Sequence, residues 1–249
     1  MSARRRLDAE LVRRGLATSR GEATQLIDGR RVLVNGAIAD KPARQVAVAD
    51  QLLIAGPPQR FVGRGALKLD HALDVFAIEV AGRRALDAGA STGVFTDCLL
   101  QRGAASVVAV DVGHGQLHER LRSDPRVVNM ERTNIRDITV AMIGGAVDIA
   151  VGDLSFISLR LVVPALVPVC QHGAPMVLLV KPQFEAGRAE VSRGRGVITD
   201  PEIWQRVQDE IAHVLTSSNC EVAGWTDSPI TGADGNREFL VHAITPGAA

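Results

Sequence analysis

The chain has 249 residues, long enough for one large domain or for a medium domain carrying a small module, and its 46% hydrophobic content supports a sizeable core at zero formal net charge. Cys98, Cys170 and Cys220 are too widely spaced for a metal site and odd in number, and the arginine-rich start lacks the apolar run of a secretory signal. The most apolar stretch, 159–170, is broken by Pro164 and Pro168 and is too short to span a bilayer, which leaves a soluble, cytoplasmic protein with buried thiols and no expected metal.

The charge is unevenly spread. Residues 1–60 carry 11 Lys/Arg against 6 Asp/Glu, and residues 61–249 carry 17 against 22. A basic arm on a near-neutral body points to nucleic acid; a solvated arginine-rich surface is the plainer alternative. Within the arm, Leu7, Leu11 and Val12 share one face of a short helix ending near Gly15. Ser19 opens a second helix, with Glu22 as its capping-box partner, Ala23, Leu26 and Ile27 as the apolar face, and Gly29 at the C-terminal cap. Val32-Leu33-Val34 leads into Asn35-Gly36, a pair that favours a tight hairpin, and Val46, Val48, Leu52 and Ile54 supply further short strands.

Arg6-Leu7-Asp8, Arg14-Gly15-Leu16, Ser19-Arg20, Ala23 and Val34-Asn35-Gly36 resemble the S4 RNA-binding module. The resemblance implies a basic helical face that docks on structured RNA. Arg4, Arg5, Arg6, Arg13, Arg14, Arg20, Arg30 and Arg31 are then the candidate phosphate contacts, with Arg64 beyond the module. A helix–hairpin module that binds protein is the alternative. Gly56-Pro57-Pro58-Gln59 reads as a linker, which gives an RNA-binding domain at 1–56, a connection at 57–64 and a larger domain at 65–249.

In the larger domain strands and helices alternate. Strands are expected near 84–89, 106–111, 127–129, 147–153, 175–181, 220–226 and 238–244, and helices over 65–76, 92–102, 116–122, 136–143, 158–171 and 201–217. This predicts a doubly wound, Rossmann-like α/β sheet, mostly parallel, with ligands beyond the carboxyl ends of its strands. A Gly/Arg-rich loop is expected over 187–196.

The first strand runs into Gly89-Ala90-Ser91-Thr92-Gly93, and the second, Val107-Val108-Ala109-Val110, stops at Asp111. Strand, small-residue turn, helix, strand and acid make a layout that holds an adenosine-containing cofactor, the acid taking the ribose hydroxyls. The turn also matches the G-x-S-x-G of serine hydrolases, but that elbow needs a later acid and histidine, and His242 lies inside the last strand. It lacks the G-x-G-x-x-G of nicotinamide enzymes. The remaining reading is an S-adenosylmethionine pocket, with glycine as a mere packing corner as the bland alternative.

Lys68 lies early in the helix before the first strand, Asp153 and Lys181 end two later strands, and Glu238 begins the last one. Any one of them alone reads as a solvated charge at a strand end. Together, Lys-Asp-Lys-Glu resembles the tetrad of FtsJ/RrmJ-type ribose 2′-O-methyltransferases. Leu86 to Gly93, Asp111-Val112-Gly113, Glu131 to Asn134, Asp153 to Ser158, Lys181-Pro182-Gln183-Phe184-Glu185 and Gly235-Asn236 extend the match. With the S4-like segment in front, the chain is similar throughout to the TlyA family of rRNA (cytidine-2′-O)-methyltransferases, which also carries a hemolysin label.

The resemblance implies S-adenosylmethionine as cofactor, held by Gly89, Ser91, Thr92, Gly93, Phe95, Asp111, Asn134 and Asp153. It implies 16S and perhaps 23S rRNA within ribosomal subunits as partner, no membrane, and a link to capreomycin-type antibiotics. Lys181 is the expected base, with Lys68 beside it and Asp153 and Glu238 orienting the ammonium groups; desolvation and the second lysine favour loss of its proton, and the carboxylates oppose it. Two departures stand out. Gly63 replaces a usual serine in Phe61-Val62-Gly63-Arg64-Gly65, and His114 replaces a frequent tyrosine after Asp111-Val112-Gly113. The competing classes are a non-catalytic RNA-binding or ribosome-assembly factor and a membrane-lytic protein, the latter without a supporting amphipathic or spanning helix.

Overall fold

The structure is a computed structural model describing residues 4–17, 19–56 and 60–247; Pro57, Pro58 and Gln59 of the expected linker, and the side chains of Arg188 and Arg193, lie outside the described residues. The chain divides into two compact units, Met1–Gln59 and Arg60–Ala249.

The first unit runs β1 (Arg5–Arg6), α1 (Leu7–Arg13), α2 (Arg20–Asp28), β2 (Val32–Val34), β3 (Ala37–Ile38), β4 (Gln45–Val46) and β5 (Leu52–Ile54). The Ser19 hydroxyl accepts the Glu22 amide and starts α2. Asn35 and Gly36 take φ of 52° and 82°, the left-handed pair that a two-residue hairpin between β2 and β3 requires. Leu7, Leu11, Ala23, Ile27 and Val32 are fully buried and form the core. Val48, expected in a strand, instead sits exposed in a turn, where its carbonyl and those of Ala47 and Asp50 accept from the Arg14 guanidinium.

The second unit contains α3 (Ala66–Val75), β6 (Arg84–Ala88), α4 (Val94–Gln101), β7 (Ser106–Val110), α5 (Glu119–Arg122), β8 (Val127–Met130), β9 (Ile149–Gly152) and α6 (Leu159–Leu166). It continues with β10 (Pro175–Val180), α7 (Pro182–Glu185), α8 (Arg188–Arg193), α9 (Pro201–Ser217), β11 (Glu221–Asp227) and β12 (Phe239–Ile244). The strands form one seven-stranded sheet in the order β11-β12-β10-β9-β6-β7-β8. Pairs from β10 to β8 are parallel, and β12 runs antiparallel to both of its neighbours. Leu86, Val108, Val163 and Ile211 pack one face under α6 and α9; Leu69, Ala85, Leu99 and Leu121 pack the other under α3, α4 and α5. That is the doubly wound arrangement the alternating pattern predicts.

Three segments differ from expectation. Instead of a helix over 136–143 there is one 3-10 turn, Ile135–Asp137. Ile135, Ile138 and Ile143 are buried at plausible helical spacing, but Gly144 and Gly145, at φ 75° and 126°, turn the chain back at once. The helix expected over 158–171 ends at Leu166 and passes into a 3-10 turn, Val167–Val169, where Pro168 has no N–H to continue it. The Gly/Arg-rich segment expected as a loop over 187–196 contains α8.

Candidate active site

The strand order reverses between β6 and β9, and in open α/β sheets ligands bind outside the carboxyl ends at that reversal. A cavity of about 530 Å³ lies there, lined by Gly89, Ser91, Asp111, Gln116, Thr133, Asn134, Arg136 and Asp153 to Ile157, with Val110, Val112 and Ile135. Its floor requires glycine. Gly89 has φ 83°, and a Cβ there would lie 2.8 Å from the Asp153 carbonyl oxygen. Ser91 is held at φ 47° and gives its amide to Asp111 Oδ2 at 2.8 Å, while the Gly113 amide reaches Oδ1 at 2.7 Å. Each carboxylate oxygen so used keeps acceptor capacity, which suits the vicinal hydroxyls of a ribose. The glycine floor, the acid on the second strand and the cavity size fit S-adenosylmethionine.

Of the residues expected to hold that cofactor, Gly89, Ser91, Asp111, Asn134 and Asp153 line the cavity; Thr92, Gly93 and Phe95 do not. Phe95 is 1% exposed and packs into the core under α4. Gly93, at φ 89°, lies against Leu117 and Leu121, so its missing side chain serves helix packing. The Thr92 carbonyl accepts the His118 amide.

The two lysines and two acids meet on the same edge of the sheet as two ion pairs. Lys68 Nζ lies 2.5 Å from Glu238 Oε2, with both groups buried. Lys181 Nζ lies 2.5 Å from Asp153 Oδ1, outside hydrogen-bond alignment, and donates to Ser155 Oγ at 2.9 Å. The reversed direction of β12 makes this meeting possible. The pairing of Val180 with Phe239 sets Glu238, at the amino end of β12, across from Lys181, at the carboxyl end of β10. Asp153 belongs to both assemblies, since it faces Lys181 and lines the cavity.

One aromatic ring lies near the lysine and a second packs on that ring. Lys181 Nζ lies 5.7 Å from the Phe184 ring centre, and Phe184 lies 5.1 Å from the Phe156 ring. Phe156 is 91% exposed at φ 64°, an uncommon state for a bulky residue. Sequence reasoning assigned no role to Phe156, Ser155, Gln116, Thr133 or Arg136. The run 153–158 stood out as a motif, but nothing in it announces a left-handed phenylalanine.

The arginines of the first unit divide. Arg6 and Arg20 both pair with the buried Asp8, and Arg13 and Arg14 with the buried Glu10. The guanidinium of Arg6, with that of Arg20, holds the Asp8 carboxyl below the usual range, and Arg13 with Arg14 pulls Glu10 down to about 2. Arg14 is largely consumed by these internal bonds, whereas Arg6 and Arg20 stay 47% and 61% exposed. Arg31 Nε donates to the Ala55 carbonyl. Arg4, Arg30 and Arg64 have exposed side chains.

At the departures from the family pattern, Gly63 packs on Val94, and His114 Nδ1 lies 2.7 Å from Glu131 Oε2. The Gly115 amide, with Asn129 and His114, holds the Glu131 carboxyl down to about 2. Burial pushes the Cys98 and Cys170 thiols up to about 12. Among the described residues no group of three or more His, Cys, Asp or Glu could hold a metal ion, and no helix is long and apolar enough to cross a membrane.

Residues 61–244 match the FtsJ-like methyltransferase profile and residues 5–52 the S4 domain. The chain is 51% identical to the 16S/23S rRNA (cytidine-2′-O)-methyltransferase TlyA of Mycobacterium tuberculosis, over 98% of this chain and 91% of the relative. It is 38% identical to Hemolysin A of Brachyspira hyodysenteriae, over 96% of this chain and 99% of the relative. The solved structure of a protein from Streptococcus thermophilus described as a hemolysin has a TM-score of 0.78 and 39% identity, covering 99% of this chain and 90% of that one.

Proposed function

Because this chain belongs to the TlyA family of FtsJ-like methyltransferases that carry an S4 domain, we propose that it methylates ribose 2′-hydroxyls of ribosomal RNA. One observation carries the reading: Asp153 joins a cavity suited to S-adenosylmethionine to a lysine placed to receive a proton. When bound, the cofactor supplies a methyl group already activated on a sulfonium. Gly89 and Ser91 admit it against the backbone, Asp111 takes its ribose, and Asn134 borders its adenine end.

The target hydroxyl is a poor nucleophile at neutral pH, so this chain's residues must align it and take its proton. Lys181 is the proposed base, after its ammonium group has released one proton to solvent. Asp153 and Ser155 hold its Nζ in place, and the strand pairing sets the Lys68–Glu238 pair next to it. Alignment contributes up to about 7–11 kcal/mol in the best intramolecular cases, and base assistance about 10²–10⁴-fold. The exposed ring of Phe156 offers a face on which an unstacked base can rest, since a nucleotide inside a helix cannot reach the lysine. The 2′-hydroxyl itself selects RNA over DNA.

The finer assignment follows the mycobacterial relative's description: a cytidine ribose in 16S rRNA, 23S rRNA or both. The family resemblance extends the proposal to ribosomal subunits in the cytoplasm and to an effect on capreomycin-type susceptibility. Arg4, Arg6, Arg20, Arg30, Arg31 and Arg64 are the proposed phosphate contacts. The test is tritiated-methyl transfer to purified ribosomal subunits from a strain lacking the enzyme, followed by mapping of the modified ribose. Lys181→Ala should bind the cofactor and transfer no methyl group; full turnover by that variant removes Lys181 from the mechanism.

A further inference from the structure

Glu185, 5% exposed, ends the short helix α7 that follows Lys181, and the reaction as written gives it no part. Its Oε1 accepts the Leu159 amide at 2.8 Å and its Oε2 accepts the Ser158 hydroxyl at 2.5 Å. Its carbonyl oxygen accepts from the Arg160 guanidinium at 2.6 Å. All three partners lie where the loop 153–158 enters α6.

That loop carries Asp153, Ser155 and Phe156, and the turn 181–185 carries Lys181 and Phe184. Lys181 touches Asp153 and Ser155, and the Phe156 ring meets Phe184, across the same gap that Glu185 bridges. The loop does not hold this shape without support, because Phe156 is in a left-handed conformation that costs about 1–3 kcal/mol and persists only when its surroundings fix it. Burial raises the Glu185 carboxyl, and the hydrogen bonds from Ser158 and Leu159 oppose that rise. An exposed serine cap would suffice to start α6, and Ser158 already accepts the Arg160 amide in that way.

We propose that Glu185 is a positioning residue that latches the 153–158 loop onto the 181–185 turn, so that Ser155 stays on Lys181 and the Phe156 ring stays on Phe184. The inference rests on the methyl-transfer reading of the site. A small loss of register between the two segments moves both the lysine and the ring away from the incoming ribose. The cofactor contacts at Gly89, Ser91 and Asp111 belong to other segments and stay as they are, whereas Asp153 and its loop neighbours wall the cavity from one side.

The experiment uses the full chain, tritiated S-adenosylmethionine and ribosomal subunits, with rates expressed per cofactor-binding molecule by calorimetric stoichiometry. Glu185→Ala should lower kcat by about 10–100-fold, well beyond any loss of cofactor affinity through the loop's wall of the cavity. Glu185→Gln should recover most of kcat, because its carbonyl still accepts the Leu159 amide and its NH₂ can donate to the Ser158 hydroxyl oxygen. Should Glu185→Ala not fold, Ser158→Ala, which removes one arm of the latch, should still lower kcat by about three- to tenfold. Unchanged kcat per cofactor-binding molecule in the variants that fold overturns the proposal, since a purely structural role lowers only the folded fraction. Failure of the wild type to transfer methyl groups sinks the underlying reading instead.

Discussion

Asp87 Oδ2 accepts both the backbone N–H and the hydroxyl of Thr96, at 2.8 and 2.7 Å, while Asp87 Oδ1 is buried without a hydrogen-bond partner. Complete burial pushes this carboxyl up to about 7, with Asp153 and Asp111 adding like-charge repulsion. A folded-state value above the unfolded one means that the native protein holds the extra proton. The stabilisation is complete below about 4 and is lost as pH rises toward 7, with an upper bound of about 4 kcal/mol. Asp87→Asn does not titrate. Its stability relative to wild type, from urea unfolding, should improve by up to about 1 kcal/mol per pH unit between pH 5 and 7. Parallel pH profiles for the two proteins are the contrary outcome.

The pair Lys68–Glu238 is buried, with side chains 9% and 2% exposed. Removing one partner strands the other charge, so Glu238→Ala should cost about 3–5 kcal/mol, and the double variant Lys68→Met with Glu238→Ala should be more stable than the single one. Denaturant titration reads this directly. Both variants should be inactive; methyl transfer by either would detach the pair from the reaction.

Asp111 ties the first turn to the loop after β7 through two amides. Asp111→Ala frees both amides and removes the ribose acceptor. Charged hydrogen bonds contribute about 1.5–3 kcal/mol each, so cofactor affinity should fall at least about tenfold by calorimetry. An unchanged dissociation constant would place the cofactor elsewhere.

Gly63 is explained by Val94, since a Cβ at 63 would lie 2.9 Å from Val94 Cγ1. Gly63→Ser should destabilise by about 1–3 kcal/mol through overpacking, and Val94→Ala beside it should restore most of the loss. Thermal unfolding of the three proteins decides it; additive losses would deny the contact.

Arg14 and Arg30 should separate in their effects. Arg14 holds the carbonyls of Ala47, Val48 and Asp50 as well as Glu10, so Arg14→Ala should destabilise the first unit by about 1–3 kcal/mol. Arg30 is exposed, and Arg30→Ala should leave unfolding unchanged while lowering the salt dependence of RNA binding by about one ion. A salt-insensitive wild-type affinity would argue against docking through these arginines.

Much of this was legible in the sequence because the deciding interactions are local. Short apolar runs ending at Ala88, Val110, Gly152 and Val180 mark strands, and Ser19 with Glu22 and Asn35 with Gly36 mark a helix start and a hairpin. Lys68, Asp153, Lys181 and Glu238 could be picked out by motif, but their pairing could not. Lys68 meets Glu238 across 170 positions, and nothing local assigns Lys181 to Asp153 instead. Phe95 reads as part of a binding turn from its neighbours, yet α4 rotates it into the core. The expected helix near 136–143 had the right apolar spacing, and the glycine pair behind it overruled that spacing.

The reversed strand has a practical consequence. Because β12 enters the sheet at Phe239, next to Glu238, and leaves it at Ile244, the chain past Thr245 emerges about 20 Å from the lysines, on the far rim. A fluorophore or affinity handle grafted there should leave the lysines clear, whereas an insertion between Asp227 and Arg237 would lie beside Glu238.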